Sequence, residues 1–546
     1  MPPIKKRLKA IDIFCGAGGF SEGFQQAGFD IIMGVDKWEP AVKTHQANHP
    51  TSKTLLGYVD SISLLPDNEF EKLIPDSEII IGSPPCVAFS NSNKSGKGNK
   101  DEGEKLIKAY LRIVARKKWK QGSILKYWIL ENVPNSEIFI RDEYSAEELG
   151  LEGQNTLTIK NNTSGVYNAV HYGVPSRRKR YFCGEFPEPE RVIKDETEII
   201  LLRHVLNKLG QPNEKSEISI SDPVYVFNMP GNEVTDHHYE QRVAQYQWKK
   251  AKQLKQDKGY MGRMAFPENQ ECPARTIMAT MTLSARESMI LNNGNSSYRA
   301  PTIREVASLM SFPIDYRFYG ESIGLKYKLV GNAVPPKLAF AFAKAIAEQE
   351  NLECPKEYIP KKFDNKNYFY NLNGETIPIS REKKKHPKSR YKYHIPYLKI
   401  NQYRVELTNH HSNFNRLDFR WDAEIHYSQG PKAIHFNLVP VASWIPKDIK
   451  DEINNFIEVN EKKVKGFNEL QRGYCLTMAQ RKKANLIGPD ELLGNIKSFI
   501  NKFVFQTYKC ESISVEEEPH SLPLVIAIGY FILYSILNKP GGLNHG

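Results

Sequence analysis

Short apolar blocks recur along the first third of the chain, and each ends in residues that stop a strand. Lys9 to Phe14, Ile31 to Val35, Ser77 to Ile81 and Tyr127 to Leu130 have the length and flanks of buried strands. Ser21 to Ala27 has the helical period, and a further helix is predicted after Pro336. Strands interleaved with helices predict a doubly wound α/β domain over residues 1–190, with 300–350 returning to it. After Glu350 the pattern changes. Lys361 to Tyr393 is rich in Lys, Asn, Tyr and Pro and includes Arg381-Glu382-Lys383-Lys384-Lys385, so residues 351–395 read as a basic linker. Alternation at Tyr403 to Leu407, Phe419 to Tyr427 and Ala433 to Val439 predicts antiparallel strands. Helical stretches follow, from Pro446 to Val459 and Pro489 to Phe503, each opening on a proline. Residues 396–546 are therefore expected to form a separate α+β domain. Its apolar run Leu522 to Leu537 contains Pro523 and Gly529 and is shorter than a membrane span, so it is expected to be a buried element.

Chemistry gathers at the strand ends. Cys86 ends Gly82-Ser83-Pro84-Pro85-Cys86, where two prolines fix a stiff exit from the strand; a lone cysteine is otherwise a small buried hydrophobe. The first strand runs into Cys15-Gly16-Ala17-Gly18-Gly19-Phe20, and Asp36 closes the next. That arrangement suits a nucleoside cofactor without choosing between NAD and S-adenosylmethionine. Glu131 ends Tyr127-Trp128-Ile129-Leu130-Glu131 and is followed by Asn132-Val133-Pro134. In open α/β sheets ligands bind at the carboxyl ends of strands, so Cys86, Glu131 and the glycine turn are predicted to share one crevice. A basic run, Arg177-Arg178-Lys179-Arg180, follows Ser176.

In this order the segments resemble the cytosine-5 DNA methyltransferases of restriction–modification systems. The resemblance spans residues 8–347 and rests on Asp12 to Phe20, Pro84-Pro85-Cys86, Glu131-Asn132-Val133, Ser176 to Arg180, Arg304 to Pro313 and Gly331 to Pro336. It implies S-adenosylmethionine as methyl donor and a catalytic set of Cys86, Glu131, Arg178 and Arg180. The Cys86 thiolate would add to carbon 6 of cytosine, and carbon 5 would then attack the sulfonium methyl. Glu131 would hold N3 and the exocyclic amine, Arg180 would hold O2, and Arg178 would support the active-site loop or backbone. The resemblance places Phe14, Gly16, Gly18, Gly19, Asp36, Trp38, Asp60, Asn332 and Val334 around the cofactor. The family's arginine motif usually begins with Gln. Ser176 stands there in this chain, and a serine cannot span the same distance.

This chemistry requires a base flipped out of the stack. The polar loop Ser90 to Lys100 is expected to close over DNA, with Lys94, Lys97 and Lys100 on phosphates. Residues 191–299 are the expected target-recognition region, and Arg263, Arg275 and Arg286 are its candidates for base or phosphate contacts. A formal charge of +12 agrees with double-stranded DNA as partner. Seven cysteines at irregular spacings suggest neither a disulfide framework nor a metal pair, so no metal is expected. The opening residues do not read as a secretory leader. A cytoplasmic protein is expected, with no membrane partner, acting as a monomer on DNA beside a cognate restriction endonuclease that is a functional, not a physical, partner.

Two other readings share the catalytic motifs: a tRNA-type cytosine-5 RNA methyltransferase and a regulatory DNA-binding relative. Val87-Ala88-Phe89-Ser90 after the cysteine argues against the first, and the intact Cys86, Glu131 and Arg180 argue against the second. For the C-terminal domain, a DNA-recognition or clamp module, a fused nuclease using Asp451 with Glu461-Lys462-Lys463, and a structural or protein-partner domain all fit the composition.

Overall fold

The computed structural model describes residues 7–85, 100–212, 218–257, 263–294, 296–363, 370–428, 433–514 and 521–538. The chain divides into two compact units, Met1–Arg242 with Pro267–Leu283 and Glu287–Pro378, and Val243–Phe266 with Ser284–Arg286 and Ile379–Gly546.

The first unit is built on a seven-stranded sheet: β1 (Lys9–Ile13), β2 (Asp30–Asp36), β3 (Lys53–Leu56), β4 (Ile79–Gly82), β5 (Tyr127–Asn132), β6 (Gly165–Asn168) and β7 (Lys179–Glu185). Their order is β3-β2-β1-β4-β5-β7-β6. The first five are parallel, and β7 runs antiparallel to both β5 and β6. All of β4 and β5 is buried, as strands covered on both faces must be. Ile11, Ile13, Met33, Val35, Ile80 and Leu130 pack on one face with Tyr110, Leu111 and Val114 of the helix Lys100–Trp119. The alternate residues Ala10, Ile31, Ile79, Ile81 and Ile129 pack on the other with Phe20, Phe24, Phe342 and Ile346. The chain leaves β1 toward β2 on one side, while β4 lies on the other. This is the topological switch point, where the crevice of such a sheet opens. Gly82 ends β4 there because a Cβ would lie 2.3 Å from the Tyr110 ring and 2.7 Å from the Ile13 carbonyl.

The boundaries differ from those the composition suggests. The helix Gln245–Gln256, inside the expected recognition region, belongs to the second unit. The expected linker is divided at residue 378. Its first part fastens onto the first unit: Lys361 Nζ lies 2.8 Å from the buried Glu22 Oε2, and the Leu372 N–H donates to Asp236 Oδ1 at 3.1 Å. Buried anchors of this kind leave no trace in a Lys- and Asn-rich composition.

The second unit has a four-stranded antiparallel sheet of β8 (Lys392–His394), β9 (Tyr403–Thr408), β10 (Asp422–Tyr427) and β11 (Ile434–Phe436), matching the predicted alternation. Val405, Leu407, Ala423 and Ile425 share a core with the helix Leu524–Asn538, which is the apolar run and is mostly buried. Among the described residues no helix is long and apolar enough to cross a membrane. Asp451 and Glu461 to Lys463 lie on one helix, Lys450–Val464, about 15 Å apart along its axis, so the nuclease set suggested by composition is not assembled.

Candidate active site

The register of β5 against β7 sets the site. Glu131 lies opposite Phe182, so Arg180, two residues along β7, is its diagonal neighbour on the same face. The Arg180 Nε–H donates to Glu131 Oε1 at 2.9 Å, and the hydroxyl of Ser83, just past β4, donates to Oε2. Glu131 is 3% exposed, and both of its oxygens are bonded, as burial of a polar group demands. Arg180 Nη1 donates to the Lys179 carbonyl, and among the described residues Nη2 has no partner. The Asn132 side chain donates to the Pro84 carbonyl at 3.1 Å and fixes the turn that leads to Cys86. Cys86, Lys94 and Lys97 lie outside the described residues, and nothing is said of the side chain of Lys100.

Arg178 stands apart from this pair. Its buried guanidinium donates to the carbonyls of Ile277, Gly331 and Ala333 at 2.9, 2.9 and 3.1 Å. It therefore positions the backbone and does not face Glu131. Ser176 is fully buried, and its hydroxyl donates to the Arg275 carbonyl at 3.1 Å. The shorter side chain is served by a backbone that comes close, with the Arg177 N–H donating to the Ala274 carbonyl at 2.8 Å.

The glycine turn follows β1. Phe14, Gly16 and Gly18 have φ of 62°, 52° and 84°. Where a Cβ on Gly16 would stand there is open space, whereas on Gly19 it would lie 2.1 Å from the Val334 carbonyl. The turn is thus packed from behind and open in front. Asp36 accepts from the N–H of Gly16 at 3.0 Å and of Trp38 at 2.8 Å, which fixes its carboxylate beside the turn. A cavity of about 190 Å³ is lined by Phe14, Tyr58, Val59, Asp60 and Leu106. Drug-sized ligands occupy about 300–1,000 Å³, so this cavity has room for only part of such a ligand, and the open turn adjoins it through Phe14. These residues fit such a group. Asp60 is bonded to Lys105 at 2.9 Å, and that bond holds its carboxyl below the usual range. Lys328 Nζ sits 4.8 Å above the Trp38 ring, and Asn332 is exposed at the end of the helix Ile323–Asn332.

No local pattern of residues marks the support beneath the turn. Ser21 Oγ donates to Asp12 Oδ2 at 2.7 Å and lies 3.0 Å from His45 Nε2, whose Nδ1 is 2.8 Å from Thr54 Oγ1. Burial pushes Asp12 up to about 7 against the pull of the Ser21 hydrogen bond, and burial lowers His45 to about 3. His45 is thus neutral. With the Ser21 proton on Asp12, it donates from Nε2 and accepts at Nδ1.

Residues 8–348 match the C-5 cytosine-specific DNA methylase family. The chain belongs to that family. The methylase is 29% identical over 357 residues to the type II methyltransferase M.HgiDI of Herpetosiphon aurantiacus, covering 62% of this chain and 94% of that one. It is 27% identical to the putative type II methyltransferase M.MJ0563P of Methanocaldococcus jannaschii, covering 63% and 100%. Among solved structures it resembles a putative DNA modification methyltransferase encoded within an E. coli prophage, at 20% identity and a TM-score of 0.44 over 63% of this chain and 99% of that one. A methyl donor and DNA follow from the family.

The candidate DNA arginines are placed differently from one another. Arg275 gives Nε and Nη2 to Glu268 at 3.1 and 3.0 Å and also meets the Ser288 carbonyl. Arg286 donates to the carbonyls of Leu254 and Asp257, at the end of the helix Gln245–Gln256. Both forks are engaged by protein. Arg263 is exposed, 6.0 Å over the Tyr397 ring, and Lys497 approaches the same ring at 3.9 Å.

Proposed function

We propose that this methylase transfers a methyl group from S-adenosylmethionine to carbon 5 of a cytosine flipped out of a specific double-stranded DNA site, as the modification enzyme of a type II restriction–modification system in the cytoplasm. The observation that carries the reading is the Ser83–Glu131–Arg180 cluster at the strand ends, beside the Pro84-Pro85 turn that leads to Cys86.

The donor supplies an electrophilic methyl on a sulfonium sulfur. Phe14, Gly16, Gly18, Gly19, Asp36, Trp38, Asp60, Asn332 and Val334 would hold it, Asp36 serving the ribose hydroxyls and Asp60 the base. Cys86 adds as thiolate to carbon 6 of cytosine, which makes carbon 5 nucleophilic. Glu131 gives a proton to N3 and accepts from the exocyclic amine, so the charge developing on the ring is met by a fixed group. Arg180 holds O2 through Nη2. Carbon 5 would take the methyl as the S–CH3 bond breaks and the sulfonium leaves as a neutral thioether; loss of the carbon-5 proton to a base, departure of the thiolate and return of the N3 proton to Glu131 then restore the ring and the enzyme. Arg178 acts through the backbone it fastens. Lys94, Lys97, Lys100 and Arg263 serve phosphates, while Arg275 and Arg286, whose forks are already bonded, hold the recognition segment in shape.

The test is expression in a methylation-free host, with genomic DNA read by bisulfite sequencing and Cys86→Ala as control. Protected cytosines in one short motif, absent in the variant, are the expected result. Unmodified DNA from a protein that binds S-adenosylmethionine would overturn the DNA substrate in favour of RNA or a regulatory role.

A further inference from the structure

The second sheet carries an unusual face. Its core side is Val405, Leu407, Ala423 and Ile425, and the opposite side presents Arg404, Glu406, Glu424 and His426. Period-two alternation ordinarily turns such residues to water. Here Glu406, Glu424 and His426 are only 3, 7 and 4% exposed, so two carboxylates and an imidazole sit side by side away from solvent. Buried carboxylates are paired with a cation, bound to a metal or protonated, and here the Arg404 Nε–H donates to Glu406 Oε1 at 2.7 Å.

We propose that this face binds a divalent transition-metal ion through Glu406, Glu424 and His435, with His426 at its edge. One oxygen or nitrogen from each of the three ligands falls within 4.8 Å of the others. The cross-strand register explains the meeting: Glu406 is opposite Glu424, and His426 is opposite His435. Two carboxylates and an imidazole form the oxygen–nitrogen donor set that suits zinc, cobalt or manganese. Metal–ligand bonds of about 2 Å put ligand atoms about 3.5 Å apart, so the triad has to draw in by roughly 1 Å.

An independent observation points the same way. Among the described residues neither ring nitrogen of His426 has a hydrogen-bond partner, although the side chain is buried. Its Nδ1 stops 3.5 Å from Glu406 Oε1, and its ring stacks on His435 with centroids 4.3 Å apart. His435, 40% exposed, opens the cluster to solvent.

A positive charge already occupies the place. Lys392 Nζ lies 3.0 Å from Glu424 Oε2, 3.3 Å from Glu406 Oε2 and 3.4 Å from His435 Nδ1, the groups assigned to the metal. Its side chain is 32% exposed, so the ammonium can swing out when a doubly charged ion enters. Lys392 is therefore a competitor for the site.

The full-length protein is titrated with Co²⁺ alone and followed by visible d–d absorption, with Zn²⁺ added afterwards to displace it. One equivalent without a thiolate charge-transfer band is expected, abolished in Glu424→Gln and in His435→Ala, the second a half-exposed position whose loss leaves folding intact by circular dichroism. Lys392→Met should bind about tenfold more tightly or better, because it removes a unit charge about 3 Å from the ligands. No spectrum at neutral pH, a spectrum that survives both ligand variants, or unchanged affinity in Lys392→Met would overturn the site.

Discussion

Both units bury a carboxylate against a cation, but they do so at different places on a sheet. Glu131 meets Arg180 at the carboxyl end of β5, beside the switch point of a parallel sheet. Glu406 and Glu424 meet Lys392 in the middle of antiparallel strands. In the first unit the topology itself marks a ligand crevice, so burial of a charge there points to chemistry on a substrate. In the second no such rule applies, and only the donor atoms and the unbonded ring nitrogens of His426 mark a site among the described residues. The difference is that position can identify a site only where the fold assigns meaning to position.

The sharpest way to break this comparison is Cys86→Ala, which should lower methylation by more than about 10³-fold while thermal stability holds. Retained activity would detach the strand-end cluster from catalysis. Glu131→Gln comes next, with a fall of about 10²–10³-fold in kcat measured by methyl transfer to DNA, and little change in DNA affinity. Arg178→Met should act on the fold instead. Three carbonyls lose their donor at a cost of about 3 kcal/mol, or a Tm lower by about 4 °C for a unit of this size.

Asp12 sharpens the comparison through pH. Its carboxyl is raised from 3.8 to about 7 by burial, so the folded state holds a proton that the unfolded chain releases. That contribution to stability is complete below pH 3.8 and is lost as pH rises through about 7. His45, lowered to about 3 from 6.5, runs the other way, since protonation of the unfolded chain destabilises the fold as pH falls below 6.5. The difference in Tm between the native chain and Asp12→Asn, followed from pH 4 to 7, isolates the first effect and should drift steadily against the native chain. The smallest effects are Ser83→Ala, about fivefold in kcat from one lost hydrogen bond, and Glu424→Gln, which should leave methylation within about twofold.

The sheet and its strand-end residues were legible because apolar blocks and turn residues are local signals. Ile79 to Ile81 and Tyr127 to Leu130 announce themselves. Partnerships across long separations were not. Nothing local to Ser83 predicts a bond to Glu131, and the forks of Arg275 and Arg286 look free until Glu268 and the Leu254 carbonyl are seen beside them. The same holds for the second sheet. Its alternation predicted the strands, but alternation alone assigns Glu406 and Glu424 to water, and only burial corrects it.

Arg178 also bears on when this protein can become active. Its three acceptors lie 99, 153 and 155 residues further along the chain, and Gly19 packs against a carbonyl at residue 334. A ribosome that has delivered every catalytic side chain through Arg180 has still not delivered the backbone those side chains lean on. Contacts of such long range close slowly. Chains still in synthesis are therefore expected to hold the reactive groups without a finished pocket until residues through Val334 have emerged.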